Sequence, residues 1–361
     1  MYLIITRSFP PEIGGMQNLM GGLTKSLSKH YMIKVFADYH PNNKTYDELT
    51  SFSIERVGGI KIFRKYRKAH LINAYIKNNK NIKGIIADHW KSLELIKTNK
   101  KKICLIHSKE INHPKRSYLN NRALKVLNNV DHIISNSQFT KQLAQNNGIN
   151  SDLITVINPG VDSLSDIDEK ILKETESLLK DNTPRLITVS RYDKRKNHEK
   201  IIMSLRNLKQ LYPKIIYISI GDGEEVDNIK KLAKELDLTN QIIFLKGISA
   251  DIKNALLSKS DIFVMPSIIY KKSVEGFGIA FVEAAQYGVP SIGGKDGGAS
   301  DAIDHEKTGL ICDGNDLDAV YSSINSMLEN KKYLEYGRAA KKNSIKFNWD
   351  NIIEEYKKIL N

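Results

Sequence analysis

Glu275 and Glu283 stand eight residues apart in the stretch Glu275-Gly-Phe-Gly-Ile-Ala-Phe-Val-Glu283, which follows the apolar run Asp261-Ile-Phe-Val-Met-Pro266. Gly276, Phe277 and Gly278 form a glycine-rich turn leading into a helix, where backbone N–H groups and the helix dipole favour a phosphate. Carboxylates beside such a phosphate site need another task, and hydrogen-bonding sugar hydroxyls is the natural one. Eight residues is close to two helical turns, but Glu275 precedes the glycines, so the pair brackets the turn rather than sharing a helix face. Glu275 would then meet a sugar on one side of the phosphates and Glu283 a ribose on the other. Upstream, the loop Ser190-Arg-Tyr-Asp-Lys-Arg-Lys-Asn197 follows the strand-like Arg185-Leu-Ile-Thr-Val189 and offers Arg191 and Lys196 as fixed cations. Together these residues describe a site for a sugar nucleotide diphosphate.

Three further turns have the composition of ligand loops. Phe9-Pro-Pro-Glu-Ile-Gly-Gly-Met16 places Gly14 and Gly15 at a helix start, where a ligand can approach the backbone closely. Gly221-Asp-Gly-Glu-Glu-Val226 opens like a dinucleotide fingerprint but lacks its third glycine and the later ribose-binding acid, which disfavours a dinucleotide-dependent oxidoreductase. A turn near the nucleotide base fits it better, with Lys246-Gly247 at the next strand end as a comparable backbone contact. Gly297-Gly-Ala-Ser-Asp301 is another small-residue turn before a helix. Two Asp-x-Asp tripeptides, Asp166-Ile-Asp168 and Asp316-Leu-Asp318, raise the question of a divalent metal. Neither follows a core strand, and helix capping is the simpler role for them. No metal site is expected.

Arg191 with Lys196, the Glu275–Glu283 stretch and the Pro10-Pro-Glu-Ile-Gly-Gly-Met-Gln17 loop, in this order along nearly the whole chain, resemble the retaining glycosyltransferases of family four. Within that family the flavour is that of the bacterial mannosyltransferases that build phosphatidylinositol mannosides. The resemblance implies a GT-B fold: two Rossmann-like α/β domains facing across a cleft, with the last helix crossing back to the first domain. It implies a nucleoside diphosphate sugar as donor, GDP-mannose or a UDP-hexose, with no required cofactor. Gly14 and Gly15, Gly15 the better placed, would contact the donor diphosphate, and Arg191 and Lys196 would neutralise the leaving group without a metal. His107 stands where the lipid mannosyltransferases carry a histidine and would serve the transferred sugar or orient the acceptor. Asp88-His89-Trp90 resembles the His-x-Trp segment of other members, with Asp88 in the histidine's place and the histidine moved to position 89. Both possibilities stand. Asp301 replaces the Glu usual in the family.

A chain of 361 residues suggests two domains, and short apolar runs alternating with amphipathic stretches suggest parallel sheets with crossover helices. The expected division is an acceptor-binding domain over 1–160, a linker over 161–184, a donor-binding domain over 185–345, and a closing helical segment over 346–361. Strands are expected at 2–6, 33–37, 60–64, 84–87, 103–106, 132–135 and 154–157 in the first half. A second series begins at 186–190, 215–220, 241–246 and 262–265 and ends at 291–293 and 309–312. Cys104 and Cys312, without metal spacing, read as buried thiols.

The net charge of +14 is uneven. Residues 1–158 carry 25 Lys and Arg against 10 Asp and Glu, a balance of +15; the remainder carries 30 against 31, or −1. Arg64, Lys65, Arg67 and Lys68 are the densest cluster, and such a face suits anionic lipid headgroups. No nucleic-acid-binding signature accompanies it. No apolar run is long enough to span a bilayer, and the N-terminus does not resemble a secretion signal, so a cytoplasmic protein, peripheral on the inner face of the cell membrane, is expected. The reading is hexosyl transfer to a lipid or surface-glycan precursor. A non-catalytic, membrane-associated sugar-nucleotide binder is the alternative.

Overall fold

The computed structural model describes residues 1–361, which divide into two compact units: Met1–Asp162 with Phe347–Asn361, and Ser163–Lys346. The first unit is built on a seven-stranded sheet. Its strands are β1 (Tyr2–Ile5), β2 (Ile33–Asp38), β3 (Ser53–Val57), β4 (Gly84–Ala87), β5 (Lys101–Ile106), β6 (His132–Ser135) and β7 (Ile154–Val156), in the order β3-β2-β1-β4-β5-β6-β7. The second carries β8 (Arg185–Val189), β9 (Ile216–Ile220), β10 (Ile242–Leu245), β11 (Ile262–Met265), β12 (Ser291–Gly294) and β13 (Gly309–Cys312), in the order β10-β9-β8-β11-β12-β13. Every strand pair is parallel.

Covered on both faces by crossover helices, the central strands must be apolar throughout, and β1, β4, β9 and β11 are buried along their whole length. Strand order reverses between β1 and β4 in one sheet and between β8 and β11 in the other. In open parallel sheets such a reversal opens a crevice at the carboxyl ends of the strands, where ligands bind. The loops after β8 and β11 hold Arg191, Lys196 and Glu275.

One expected strand is misplaced. Ile60–Arg64 has the alternation of a strand, but it begins the helix Lys61–Asn78, and the sheet edge is supplied instead by Ser53-Ile-Glu-Arg-Val57. That segment is an edge strand with one exposed end, so it carries two charges and little apolar signal. Of the stretch 161–184, residues from Ser163 onward belong to the second unit, where helix Glu169–Leu179 packs against helix Ala250–Ser258. The closing helix, Trp349–Leu360, belongs to the first: it packs on helix Gly15–Ser28, and the Tyr2 hydroxyl donates to the Leu360 carbonyl at 2.5 Å. Cys104 and Cys312 are buried free thiols.

Candidate functional site

The chain leaves β8 through a loop held from beneath. His198 is buried, its ring stacked on Tyr192 at 4.3 Å, with Nδ1 2.9 Å from the Tyr217 hydroxyl and Nε2 3.1 Å from Ser190 Oγ. Burial lowers its pKa to about 3, with Lys196 adding repulsion, so the ring is neutral. Tyr192 donates to Ser219 Oγ, and Tyr217 to Thr188 Oγ1. Next in the chain, Asp193 caps the turn Lys194–Lys196, and Asn197, in left-handed conformation, donates to the carbonyls of Pro266 at 3.0 Å and Gly314 at 2.7 Å. These bonds fix the loop to the ends of β11 and β13. Gly221, at the end of β9, lies so close that a Cβ there would fall 1.8 Å from the Ser190 carbonyl oxygen.

On this platform Lys196 is almost wholly buried, and its Nζ contacts Glu275 Oε2. Arg195 Nη1 reaches the same oxygen at 2.7 Å, while Nη2 lies 3.6 Å from Asp193. Burial by itself would raise the Glu275 carboxyl; the charges of Lys196 and Arg195 outweigh it and hold the group at about 2. Burial lowers the Lys196 ammonium, and the carboxylate offsets only part of that. Arg195 escapes a reading that looks for two cations five residues apart. The available signal is only its place beside Lys196 in the basic loop; the length and flexibility of the two side chains let both reach one carboxylate.

Glu275 is held in turn by its backbone. Its carbonyl accepts from Gly298 N at 2.8 Å, and it bridges to Gly297, so the Gly297–Asp301 turn supports the glycine turn. Gly276 and Phe277 are buried, and Gly278, at φ +89°, caps the helix Ile279–Gln286 in a conformation that favours glycine. Glu283 lies one turn inside that helix, half-buried, with Oε1 2.9 Å from Lys253 Nζ. Arg191 is exposed at the start of the loop and forms no side-chain ion pair. Lys246 is exposed and pairs with Asp222 at 2.8 Å; Gly247 beside it has φ +65°. The two Asp-x-Asp tripeptides supply helix caps: Asp168 accepts from Lys170 N, and Asp316 from Asp318 N.

The first unit presents a second set of polar groups at the carboxyl ends of its strands. Gly14 precedes helix Gly15–Ser28, and a Cβ on Gly15 would meet nothing within 4 Å. No internal contact therefore requires glycine there. His107, one residue past β5, has both ring nitrogens buried without a hydrogen-bond partner. Ser108 follows at φ +93°, buried, its hydroxyl also unpartnered. Orphaned buried polar atoms and strained backbone are costly and tend to mark functional sites.

Asp88 and His89 are committed differently. Asp88 accepts from Thr6 Oγ1 at 2.9 Å, Arg7 N at 2.8 Å and Ser92 Oγ at 2.9 Å, which ties the end of β4 to that of β1. His89 Nδ1 caps the next turn by accepting from Lys91 N, and burial, with Arg7 and Lys91 nearby, lowers its pKa to about 2. Of the two histidines left open by the sequence, His107 has both ring nitrogens unspent, whereas His89 has committed Nδ1 to its own backbone turn.

Residues 170–346 match the family model described as glycosyl transferases group 1, and residues 13–163 match that of glycosyltransferase family 4. The chain belongs to these glycosyltransferases. It is 24% identical over 346 residues to the GDP-mannose-dependent alpha-(1-6)-phosphatidylinositol monomannoside mannosyltransferase of Mycolicibacterium smegmatis, covering 90% of this chain and 88% of the relative. The corresponding enzyme for the monoacylated substrate from Corynebacterium glutamicum is 24% identical over 341 residues, with 91% and 88% covered. Among solved structures, Anabaena HepE in complex with UDP-glucose superposes with a TM-score of 0.82 at 20% identity, covering 100% and 99% of the two chains. Sucrose-phosphate synthase from Thermosynechococcus elongatus does so at 0.82 and 18%, covering 99% and 98%. The fold is GT-B.

The basic cluster of this glycosyltransferase departs from the sequence reading. Lys68 is buried, donating to the Thr6 carbonyl and pairing with Asp38, which also takes Arg64 at 3.1 Å. Lys65 pairs with Glu94 at 2.8 Å. Arg67 donates to the Gly58 and Ile60 carbonyls. Three of these four charges are thus spent on carboxylates inside the unit, because the helix that carries them turns this side toward the sheet.

Proposed function

We propose that this glycosyltransferase moves a hexose, of mannose or glucose type, from a nucleoside diphosphate sugar to a hydroxyl of a lipid or surface-glycan precursor, with retention at the anomeric carbon. The observation that carries this reading is the buried Arg195–Glu275–Lys196 cluster beside the Gly276–Gly278 turn. A carboxylate held ionised by two cations accepts hydrogen bonds from sugar hydroxyls, and cations fixed beside it meet the diphosphate without reorganising as the glycosidic bond breaks. Arg191 and Lys196 stabilise the departing diphosphate. The acceptor attacks from the face the leaving group quits and passes its proton to a phosphate oxygen, so the protein supplies electrostatics and position rather than a base. Glu283 takes the ribose, Gly15 the diphosphate and His107 the transferred sugar. The relatives named above support GDP-mannose, and the HepE complex supports UDP-glucose, as donors to test first.

The test is a panel of sugar nucleotides scored by thermal stabilisation, by hydrolysis of the donor, and by the anomeric configuration of the product. A donor at 100 times its dissociation constant stabilises by about 2.7 kcal/mol. Stabilisation together with a retained-configuration product and activity that persists in EDTA supports the reading. Stabilisation without any turnover on lipid or glycan acceptors favours a sugar-nucleotide binder, and an inverted product overturns the mechanism.

A further inference from the structure

We infer that helix Lys61–Asn78 inserts an apolar ridge into the interface of an anionic lipid surface, an attachment that is partly hydrophobic rather than purely electrostatic. It deepens the proposal of a lipid-linked acceptor and rests on it for its purpose, though not for its evidence.

The ridge is read from exposure. Ile62 is 77% exposed, Phe63 58% and Tyr66 58%, and their spacing i, i+1 and i+4 places them on one face of the helix. Ile60, just before the helix, is 66% exposed. Four large apolar side chains within seven residues are more than the scattered exposure of an ordinary surface. Away from the ridge, Lys68 and Ile72 of the same helix are buried against the unit, so the ridge cannot turn over to bury itself.

The surface continues onto a second element. Tyr118, 74% exposed, opens helix Tyr118–Leu127, and Arg122 on that helix lies with its guanidinium 5.2 Å from the Tyr118 ring and within electrostatic reach of Tyr66. Glu94 is the acid beneath this surface, and it is neutralised by Arg122 at 2.7 Å and Lys65 at 2.8 Å. Lys61 and Arg67 on the ridge helix, and Lys115 and Arg116 just before Tyr118, are exposed and make no ion pair. An apolar and aromatic ridge fringed by unpaired cations, with Glu94 and Asp38 beside it already paired with cations of the unit, complements the boundary between acyl chains and anionic headgroups. No helix is long and apolar enough to cross a membrane, so the contact is interfacial.

The experiment uses the full chain and vesicles of phosphatidylcholine with or without phosphatidylglycerol, sedimented at 0.1 and 1 M salt. Charge attraction alone is lost at 1 M, where the Debye length is about 3 Å. Wild type is expected to keep a measurable fraction bound to anionic vesicles at 1 M. Ile62→Ser/Phe63→Ser/Tyr66→Ser is expected to bind about tenfold more weakly at 0.1 M and not at all at 1 M. Lys61→Gln/Arg67→Gln weakens binding chiefly at low salt. In Phe63→Trp, emission shifts to the blue on adding vesicles. A triple variant that binds like wild type at both salts overturns the inference, as does complete release of wild type at 1 M. A dimer that the triple variant abolishes, with no vesicle binding by wild type, replaces the lipid by a second copy. Nucleotide stabilisation, measured in every variant, separates the two proposals: it stays unchanged when only the ridge fails, and a wild-type protein that binds vesicles without glycosyl transfer refutes the function alone.

Discussion

Replacing Glu275 by Gln removes the charge that Lys196 and Arg195 share and leaves two buried cations facing a neutral amide. The carboxyl falls from its ordinary 4.5 to about 2 in the folded chain. At about 1.36 kcal/mol per unit, this is stability on the order of 3 kcal/mol. Because the folded value lies below the unfolded one, the contribution is complete above about pH 4.5 and is lost as pH falls toward 2. About three-fifths of it is gone by pH 3. Glu275→Gln should therefore cost about 3–5 kcal/mol at pH 7, as breaking one side of a buried pair does, and the deficit against wild type should shrink by about 2 kcal/mol at pH 3. Adding Lys196→Met should recover part of the loss, since only Arg195 then remains beside the amide, and Asp193 lies 3.6 Å from it. Trp90 and Trp349 both lie in the first unit and cannot report on this site. Amide exchange in Leu186–Val189 and Ile262–Met265, followed through urea at both pH values, reads the second unit directly. Turnover should fall about a hundredfold or more in the variant while nucleoside diphosphate binding survives. An equal deficit at pH 7 and pH 3, or undiminished turnover, refutes the assignment of Glu275 as the ion-paired sugar ligand.

Arg191→Ala removes an exposed side chain that makes no ion pair, so stability should change by less than about 0.5 kcal/mol while the transition state loses about 2–4 kcal/mol; unchanged kcat/KM would remove Arg191 from the site. Gly15→Val adds a side chain whose Cβ would meet nothing within 4 Å. The melting temperature should hold within a few degrees and the affinity for donor should drop, whereas a variant with native donor affinity would make that turn ordinary structure. His107→Ala deletes ring nitrogens that bond nothing in the chain; it should lower kcat at least tenfold with folding intact, and Asp88→Asn, which disturbs three internal hydrogen bonds, should show the reverse balance, losing about 1–3 kcal/mol of stability.

The alternation of short apolar strands with amphipathic helices was legible in the sequence because parallel strands buried on both faces leave an unbroken hydrophobic trace, as in Ile262–Met265. The glycine turn of 276–278 and the basic loop of 190–197 were legible because their residue types serve backbone and charge demands that few others meet. Strand Ser53–Val57 left no such trace, since an edge strand keeps one side wet. Tertiary structure alone decided the rest. It brought β8 beside β11, which set Lys196 against a carboxylate 79 positions later and added Arg195 to the pair. It also divided a run of like charges at 64–68 between the interior and solvent, because consecutive residues on a helix point 100° apart while charge is counted along the chain. Composition gives the sum of the charges; only the packing of the helix determines which of them an anionic surface can meet.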